Sequence, residues 1–264
     1  MVNGIYSFKI GEFQSTVISD GALAVPTPDM MNKRPFNPFD PDSGKSTDIT
    51  WMFTEVYCLL IQKGKRKILV ETGCGNGMQS TAGKLLANLN LIGIQRQDIG
   101  TVLFTHAHAD HIGGNTDENG NLIFANARYM MHRKEWEHWF PQIQDKNIEE
   151  KSSLGIARKN LLPIQERLDL FGDNTEIIPG IKSLATPGHT PGSVVFEISS
   201  AKDRLYVTGD LMHLETDVGK AAKTLPGLAE PGAIVFAGHF KFPGLGIFTK
   251  KGNKLFWQPI GISD

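Results

Sequence analysis

Residues 105–114 read THAHADHIGG, a stretch that places three histidines and one aspartate within six consecutive positions. It directly follows the apolar residues TVLF, which predict a short buried strand. Because side chains alternate along an extended chain, His106 and His108 can turn their imidazoles to one side. Asp110 and His111 then add a carboxylate and a third imidazole beside a pair of glycines. Such nitrogen and oxygen donors suit zinc or another divalent metal, so the stretch predicts a metal-binding loop.

Three further candidate ligands recur in the same kind of position. His189 lies in TPGHTPG, Asp210 in TGD and His239 in AGH, and each follows an apolar run that predicts a strand. Functional residues tend to gather on loops that a rigid scaffold positions. A lone histidine is usually an ordinary surface or core residue, but five of the eight histidines fall in these motifs. The motifs therefore indicate one shared site.

The overall composition argues against several classes of function. The chain has 264 residues and a formal net charge of −1, so no global field attracts nucleic acid or an anionic membrane. No apolar run approaches the length of a membrane span, and two cysteines do not make a disulfide framework. We expect a small-molecule substrate and no nucleic-acid or membrane partner. A cytoplasmic location is expected, with a secretory signal removed before this sequence as the open alternative.

The order of strand-like and helix-like patterns predicts an α/β protein. Both kinds of pattern occur in both halves of the chain, with a break near residue 170. They predict one domain over residues 1–264, built from halves of about 1–170 and 171–264 that pack through their sheets.

Several local predictions follow from the spacing of apolar and turn-forming residues. An N-terminal hairpin is expected to end at Asp20-Gly21, a strand is expected at 123–124 and a helix at 157–168. Residues 26–50 are rich in Pro, Asn, Asp and Ser and show no periodicity. A segment of that kind predicts a functional or mobile loop.

Taken in order, the motifs THAHADHIGG, TPGHTPGS, VTGD and AGHF resemble the metal-binding motifs of the metallo-β-lactamase superfamily. The residues LVETG at 69–73 resemble the first motif of that superfamily, with Glu71 where Asp is usual. The resemblance runs from residue 69 to residue 239. It implies an αββα four-layer sandwich, in which two β-sheets pack face to face, helices lie outside, and the metal site lies along one edge.

The resemblance also implies a division of the ligands between two metal ions. His106, His108 and His189 would hold one ion, Asp110, His111 and His239 would hold the second, and Asp210 would bridge them. Zinc is the expected metal, with manganese, iron and cobalt as alternatives. Glu71 would support the loops around the ligands, as the family's Asp does.

This arrangement implies a hydroxide that bridges the metals and acts as the nucleophile. A bound metal can lower the pKa of water from 15.7 to about 7, which makes hydroxide available at neutral pH. Asp110 is the expected catalytic residue, because besides binding metal it can orient the hydroxide or help to move a proton.

The C-terminal motif narrows the resemblance within the superfamily. GHFKFPGLG at 238–246 resembles the methyl-parathion-hydrolase-like branch, which includes quorum-quenching lactonases, aryl esterases and phosphotriesterases and often forms homodimers. In this branch, Met78 and Trp139 would line the substrate pocket, although Trp139 would equally suit a core anchor of its helix. His213 would reach the substrate or support the ligands, or it would be an exposed loop residue. The segment 211–238 is shorter than in this branch, which implies a wider pocket.

These inferences combine into a functional hypothesis. The chain is expected to be a dinuclear metal-dependent hydrolase of a small, mostly neutral lactone, aryl ester or organophosphate triester. A glyoxalase II-like thioesterase is one alternative, although no helical C-terminal domain like that of those enzymes is expected. An iron-dependent persulfide or thiol dioxygenase with one metal is another alternative. The last is a non-catalytic protein that keeps its metal for stability.

Overall fold

Two seven-stranded sheets organise the described part of the chain, residues 4–26, 51–145 and 147–261, in the computed structural model. The first sheet contains, in spatial order, β1 (Ile5–Ile10), β2 (Phe13–Pro26), β3 (Trp51–Lys63), β4 (Arg66–Val70), β5 (Thr101–Leu103), β6 (Arg128–His132) and β7 (Leu168–Phe171). The second sheet contains β14 (Lys254–Pro259), β13 (Leu245–Lys251), β12 (Ala233–Phe236), β11 (Asp203–Val207), β10 (Val194–Ser200), β9 (Ile181–Ala185) and β8 (Glu176–Ile178).

The direction of the strands determines where the connecting loops meet. Strands β1 to β4 are antiparallel, whereas β4 to β7 run parallel to one another. In the second sheet, β11 and β12 are parallel and the other neighbouring pairs are antiparallel. The chain passes from one sheet to the other between Phe171 and Glu176. The division into two halves of one domain stays a prediction.

Strand β3 shows why the two sheets pack face to face. Tyr57, Leu59 and Ile61 belong to the core between the sheets, whereas Cys58 and Leu60 belong to the core beneath the helices. Because successive side chains point to opposite faces, an unbroken apolar strand must be covered on both sides. Burying one such aliphatic side chain contributes about 1.5–3 kcal/mol, so both faces favour the layered arrangement.

Helices cover the outer face of each sheet. α1 (Leu85–Leu91), α3 (Arg133–Ile143) and α4 (Ser153–Leu161) pack on the first sheet, and α5 (Val218–Thr224) packs on the second. The short α2 (Ala109–Ile112) lies at the end of the loop after β5. Short 3-10 helices comprise Arg96–Asp98, Leu162–Arg167, Gly209–Leu211, Glu215–Asp217 and Pro226–Ala229. The predicted αββα sandwich is thereby confirmed.

Three local predictions are wrong. Residues 123–124 form a turn, and the predicted helix at 157–168 is replaced by the end of α4 and a 3-10 helix. Pro163 explains the second difference, since it has no N–H to continue an α-helix. Strand β2 does not end at Asp20-Gly21 but continues to Pro26, with a shift in register between Ser19 and Gly21.

Two remaining expectations concern the loop and the membrane. Apart from Pro26, the predicted loop at 26–50 lies outside the described residues. Within the described ranges, no helix is both long and apolar enough to cross a membrane.

Candidate metal centre

All seven predicted ligands come from loops that leave one edge of the two sheets. His106 and His108 follow β5, and α2 carries Asp110 and His111. The remaining three follow β9, β11 and β12, and they are His189, Asp210 and His239. The carboxyl ends of β5 in one sheet and of β9, β11 and β12 in the other therefore meet at the site.

The glycine pair after α2 lets this loop pack closely against its neighbour. A Cβ at Gly114 would lie 2.1 Å from the carbonyl oxygen of Thr72, and one at Gly113 would lie 2.4 Å from that of Cys74. The backbone N–H of Thr72 also donates to the carbonyl of His111. Only glycine permits this approach, so the sequence GG fixes the position of α2.

The first cluster of donors consists of His106, His108, His189 and one oxygen of Asp210. Nδ1 of His108 lies 3.1 Å from Nε2 of His106 and 2.8 Å from Nε2 of His189. Oδ2 of Asp210 lies 3.0 Å from Nε2 of His189 and 3.6 Å from Nε2 of His106. Four donor atoms thus converge on one point.

The second cluster consists of Asp110, His111 and His239, next to the other oxygen of Asp210. Oδ2 of Asp110 lies 3.5 Å from Nε2 of His111 and 3.6 Å from Nε2 of His239. Oδ1 of Asp210 lies 3.1 Å and 3.0 Å from the same two nitrogens. Asp210 therefore presents one oxygen to each cluster.

Hydrogen bonds on the far side of two rings turn the inward nitrogens towards the donor clusters. Thr105 donates its hydroxyl hydrogen to Oε1 of Glu71, so its oxygen accepts the Nδ1 hydrogen of His106. Nδ1 of His239 donates to the backbone carbonyl of Glu55 at 2.7 Å. Such partners select the tautomer of a metal-binding histidine and orient its ring.

The chemistry of the donor set fits two divalent ions. Both ring nitrogens of His111 are buried without a hydrogen bond of acceptable geometry, although Nε2 lies only 3.1 Å from Oδ1 of Asp210. Buried nitrogens without a well-formed hydrogen bond suit a site that binds an ion. Donors around a tetrahedral zinc ion are about 3.3 Å apart, given bonds of ~2.0–2.1 Å. The spacing within each cluster is close to that value, and the predicted dinuclear centre therefore fits the structure.

The charges around the centre differ between the two clusters. Burial lowers the pKa of His106 and of His108, and neighbouring histidines lower it further. Burial also opposes protonation of His111 and His239, but Asp110 and Asp210 outweigh it. The pKa of His111 is therefore raised well above its usual value, and that of His239 is raised to about 9. Burial raises the pKa of Asp210, but the nearby His239 and His111 outweigh this effect and hold that pKa well below its usual range.

Glu71 lies where a residue that supports the ligands is expected. Its Oε1 accepts the N–H and the hydroxyl of Thr105 and lies 3.5 Å from Nδ1 of His111. Its backbone has φ of 65°, a conformation that costs a non-glycine residue about 1–3 kcal/mol. The carboxylate of Glu71 thus contacts Thr105, next to the first cluster, and His111, in the second cluster.

The three predicted pocket residues have different surroundings. Nε2 of His213 lies 3.0 Å from Oδ2 of Asp210, and its ring stacks on that of His239 at 5.5 Å. Trp139 is 7% exposed, belongs to the core beneath α3 and meets the ring of His108 edge-on at 5.9 Å. Met78 is half-buried beside the side chains of Leu23, Val56 and Cys74. A role in substrate binding stays a prediction for all three.

The sequence did not reveal three of the groups that support the ligands. The hydroxyl of Thr105, the backbone carbonyl of Glu55 and the carboxylate of Glu135 all contact ligand residues or their loops. Thr105 is the first residue of the motif THAHADHIGG, and its position next to His106 is a signal in the local sequence. Glu55 acts through its backbone and Glu135 lies in a helix rich in charge, so neither carries a signal in its local sequence.

Comparison with known proteins identifies the same superfamily that the sequence motifs resemble. A family model for the metallo-beta-lactamase superfamily matches residues 51–239. An N-acyl homoserine lactonase from a Bacillus species is 25% identical over 166 residues, which are 56% of this chain and 59% of that relative. The chain thus spans only about three fifths of the length of this relative.

Solved structures match over nearly the whole length. AidC, a dizinc quorum-quenching lactonase in complex with a product, N-hexnoyl-L-homoserine, has a TM-score of 0.80 and 24% identity, and 99% of each chain is covered. The hydrolase AbOPH, of the beta lactamase superfamily, has a TM-score of 0.78 and 24% identity, with 100% of each chain covered. At this identity the two structures establish the fold. Because the family model covers more than half of the residues and all seven predicted ligands lie within its match, this chain belongs to the metallo-β-lactamase superfamily.

Proposed function

We propose that the chain is a metal-dependent hydrolase that opens the ring of N-acyl homoserine lactones. Other small, mostly neutral esters, including aryl esters and organophosphate triesters, are the wider substrate class. The observation that carries the proposal is the position of Asp210 between two donor clusters, with one oxygen towards each. The lactonase relatives support the choice of a lactone.

The seven ligands would hold two divalent ions, zinc first among them, which would polarise the scissile carbonyl and make hydroxide available at neutral pH. The inward nitrogens of His106 and His239 would bind metal, since Thr105 and Glu55 bind the outward ones. At His239 the metal would first displace a proton. Asp210 would keep the two clusters at one fixed separation.

Asp110 would move the proton that the reaction transfers. Its side chain is 17% exposed and borders the second cluster, whereas that of Asp210 is 6% exposed and borders both. One oxygen of Asp110 faces His111 and His239, so the other remains available to the substrate side. As hydroxide adds to the lactone carbonyl and the ring C–O bond breaks, this carboxylate would take up the hydroxide proton and return it to the leaving oxygen.

His213 would bind the substrate beside the centre. Its side chain is 46% exposed, and it lies within reach of both Asp210 and the ring of His189. An imidazole in this place can donate a hydrogen bond to the carbonyl oxygen of a bound lactone. It would orient the substrate at the centre.

Zinc content and hydrolysis should be measured on the same preparation. The wild-type chain should contain two zinc ions and hydrolyse N-hexanoyl homoserine lactone, and removal of zinc by a chelator should abolish turnover until zinc is restored. A panel of an aryl acetate, a phosphotriester, a glutathione thioester and a β-lactam would rank the substrate classes.

Several outcomes would overturn the proposal. They are two bound zinc ions without hydrolysis of any ester, full activity after zinc removal, or a thioester as the preferred substrate by a wide margin. One iron ion per chain with oxygen consumption on a thiol would point to a dioxygenase instead.

A further inference from the structure

The carboxylate of Glu135 joins the two loops that carry the histidines of the first cluster. Glu135 lies in α3 and is fully buried. Its Oε1 accepts the backbone N–H of Ala107, between His106 and His108, at 2.9 Å. Its Oε2 accepts the hydroxyl of Thr190, next to His189, at 2.6 Å.

Two further donors complete the environment of this carboxylate. The backbone N–H of Gly192 donates to Oε2 at 3.0 Å, and the indole N–H of Trp139 donates to Oε1 at 2.8 Å. Each oxygen thus accepts two hydrogen bonds, and all four partners are uncharged. Hydrogen bonds to an ionised acceptor are about twice as strong as neutral ones, and here they hold two loops that are distant in sequence.

Near Glu135, α3 and the loop that carries His189 are in close contact. A Cβ at Gly192 would lie 2.1 Å from the backbone nitrogen of Glu135. Glycine at this position therefore lets the loop after β9 lie directly against α3. The hydroxyl of Thr190 also lies 2.6 Å from that of Ser193, which gives the loop an internal hydrogen bond.

We propose that Glu135 is a positioning residue that holds the His106–His108 loop and the His189 loop at the separation which the first metal ion requires. This inference rests on the proposed metal-dependent function, but it concerns metal binding and not the choice of substrate. Glu135 would bind no metal itself. Its effect would pass through the backbone of Ala107 and Gly192 to the three histidines.

The substitution Glu135→Gln tests this role with little change in shape. An amide nitrogen cannot accept a hydrogen bond, so half of the four donors must lose their partner. If the new amide nitrogen lies on the side of Thr190 and Gly192, it can donate to the hydroxyl of Thr190, which can rotate to accept. Only the N–H of Gly192 is then left unpaired. If the amide nitrogen lies on the side of Ala107 and Trp139, both of their N–H groups are left unpaired. The first orientation is therefore favoured, and the loop of His189 should be disturbed more than that of His106.

The stepwise zinc affinities of wild-type and E135Q protein should be measured by competition with a chromophoric chelator. Loss of an outer partner typically weakens metal binding 10-fold to 100-fold, and we expect about this loss at one site and less than about threefold at the other. The visible spectrum of the cobalt-substituted protein should change as well, since it reports the ligand geometry. Thermal unfolding of the zinc-free proteins gives the loss of stability separately.

Asp20→Asn is the matched control. Asp20 is also a fully buried carboxylate, and it accepts backbone N–H groups of Cys74, Gly83 and Leu85, none of which lies on a loop of the first cluster. D20N should lose stability without a loss in zinc affinity at the site that E135Q weakens. Equal losses of zinc affinity in D20N and E135Q would overturn the proposal, because they would reflect a general effect of removing a buried charge.

Thr190→Val provides a second test that does not depend on the folding of E135Q. It removes one hydroxyl donor to Glu135 and should weaken one zinc site by a smaller factor than E135Q. If both act through the same contact, their effects on zinc affinity will not be additive in the double variant. If zinc affinity is unchanged in both T190V and E135Q, only the positioning role is contradicted. If the wild-type protein binds zinc but does not hydrolyse lactones, only the proposed function is contradicted.

Discussion

The two donor clusters of the metal centre share Asp210 but differ in their charge. In the first cluster, burial lowers the pKa of His106 and His108, so these imidazoles are neutral and ready to bind a metal. In the second, carboxylates raise the pKa of His111 and His239 despite burial, so both are protonated near neutral pH. A metal ion must therefore displace protons from the second cluster but not from these residues of the first.

The clusters also differ in how the protein supports them. The first depends on side chains, since Glu135 joins its two loops and Thr105 binds the outer nitrogen of His106. The second depends on α2, which carries Asp110 and His111, and on a backbone carbonyl that binds His239. The first cluster thus presents neutral imidazoles at His106 and His108, whereas the second presents protonated imidazoles beside carboxylates.

The largest effect is expected from the residue that the clusters share. Asp210→Asn removes the charge and leaves an amide that can present only one oxygen. We expect less than one tightly bound zinc ion per chain. The loss of turnover should exceed the ~100-fold that is typical when a group hydrogen-bonded to a metal ligand is removed. Zinc analysis and lactone hydrolysis measure the two effects, and a variant with two zinc ions and normal turnover would contradict a bridging role.

Removal of one ligand from either cluster should separate the two sites. His189→Ala and His239→Ala form a matched pair, because each deletes one imidazole and leaves the other cluster complete. Each variant should keep about one zinc ion per chain and lose most of its turnover, since the proposed chemistry uses both metals. Loss of both ions in both variants would show instead that the clusters bind metal as one unit.

The pH dependence of zinc binding should differ between these two variants. H189A retains the second cluster, where a pKa of about 9 at His239 means that protons compete with zinc below that pH. Its affinity should fall about tenfold per pH unit for each proton displaced, as pH decreases from 9 to 7. H239A retains the first cluster, whose His106 and His108 are already neutral, so its affinity should change little over this range.

Calorimetry in buffers of different ionisation enthalpy would count the released protons. H189A should release more protons than H239A at pH 8. Equal release from both variants would remove the proposed difference between the clusters.

The smallest effect is expected from Glu71, which contacts both clusters from outside. Glu71→Gln removes the charge beside His111 and so lowers the pKa of that histidine in the metal-free protein. It also removes part of the support of Thr105, and we expect zinc binding about tenfold weaker overall. Glu71→Asp, which restores the residue usual in the family, is the matched comparison, and zinc affinity should fall less in it than in E71Q.

Much of the fold and site was predictable because it depends on local patterns. The apolar run of β3 requires cover on both faces, and the motif THAHADHIGG supplies four of the clustered donors. Predictions failed where a short pattern had more than one interpretation. Ile123 and Phe124 are apolar neighbours that suit a turn over the core as well as a strand. At Asp20-Gly21, a pair typical of turns instead shifts the register of β2 and directs a carboxylate inward.

The sequence by itself determined which donors are present and that each follows a strand, because residue type and apolar spacing are local properties. Only the tertiary structure decided which oxygen of Asp210 faces which cluster, which nitrogens are free and which histidines are protonated. The contact of His239 with Glu55 joins residues 184 positions apart, and that of Glu135 with Gly192 joins residues 57 apart. Such contacts depend on how the sheets and helices pack, since hydrogen bonds and charges act through distances in space and not along the chain.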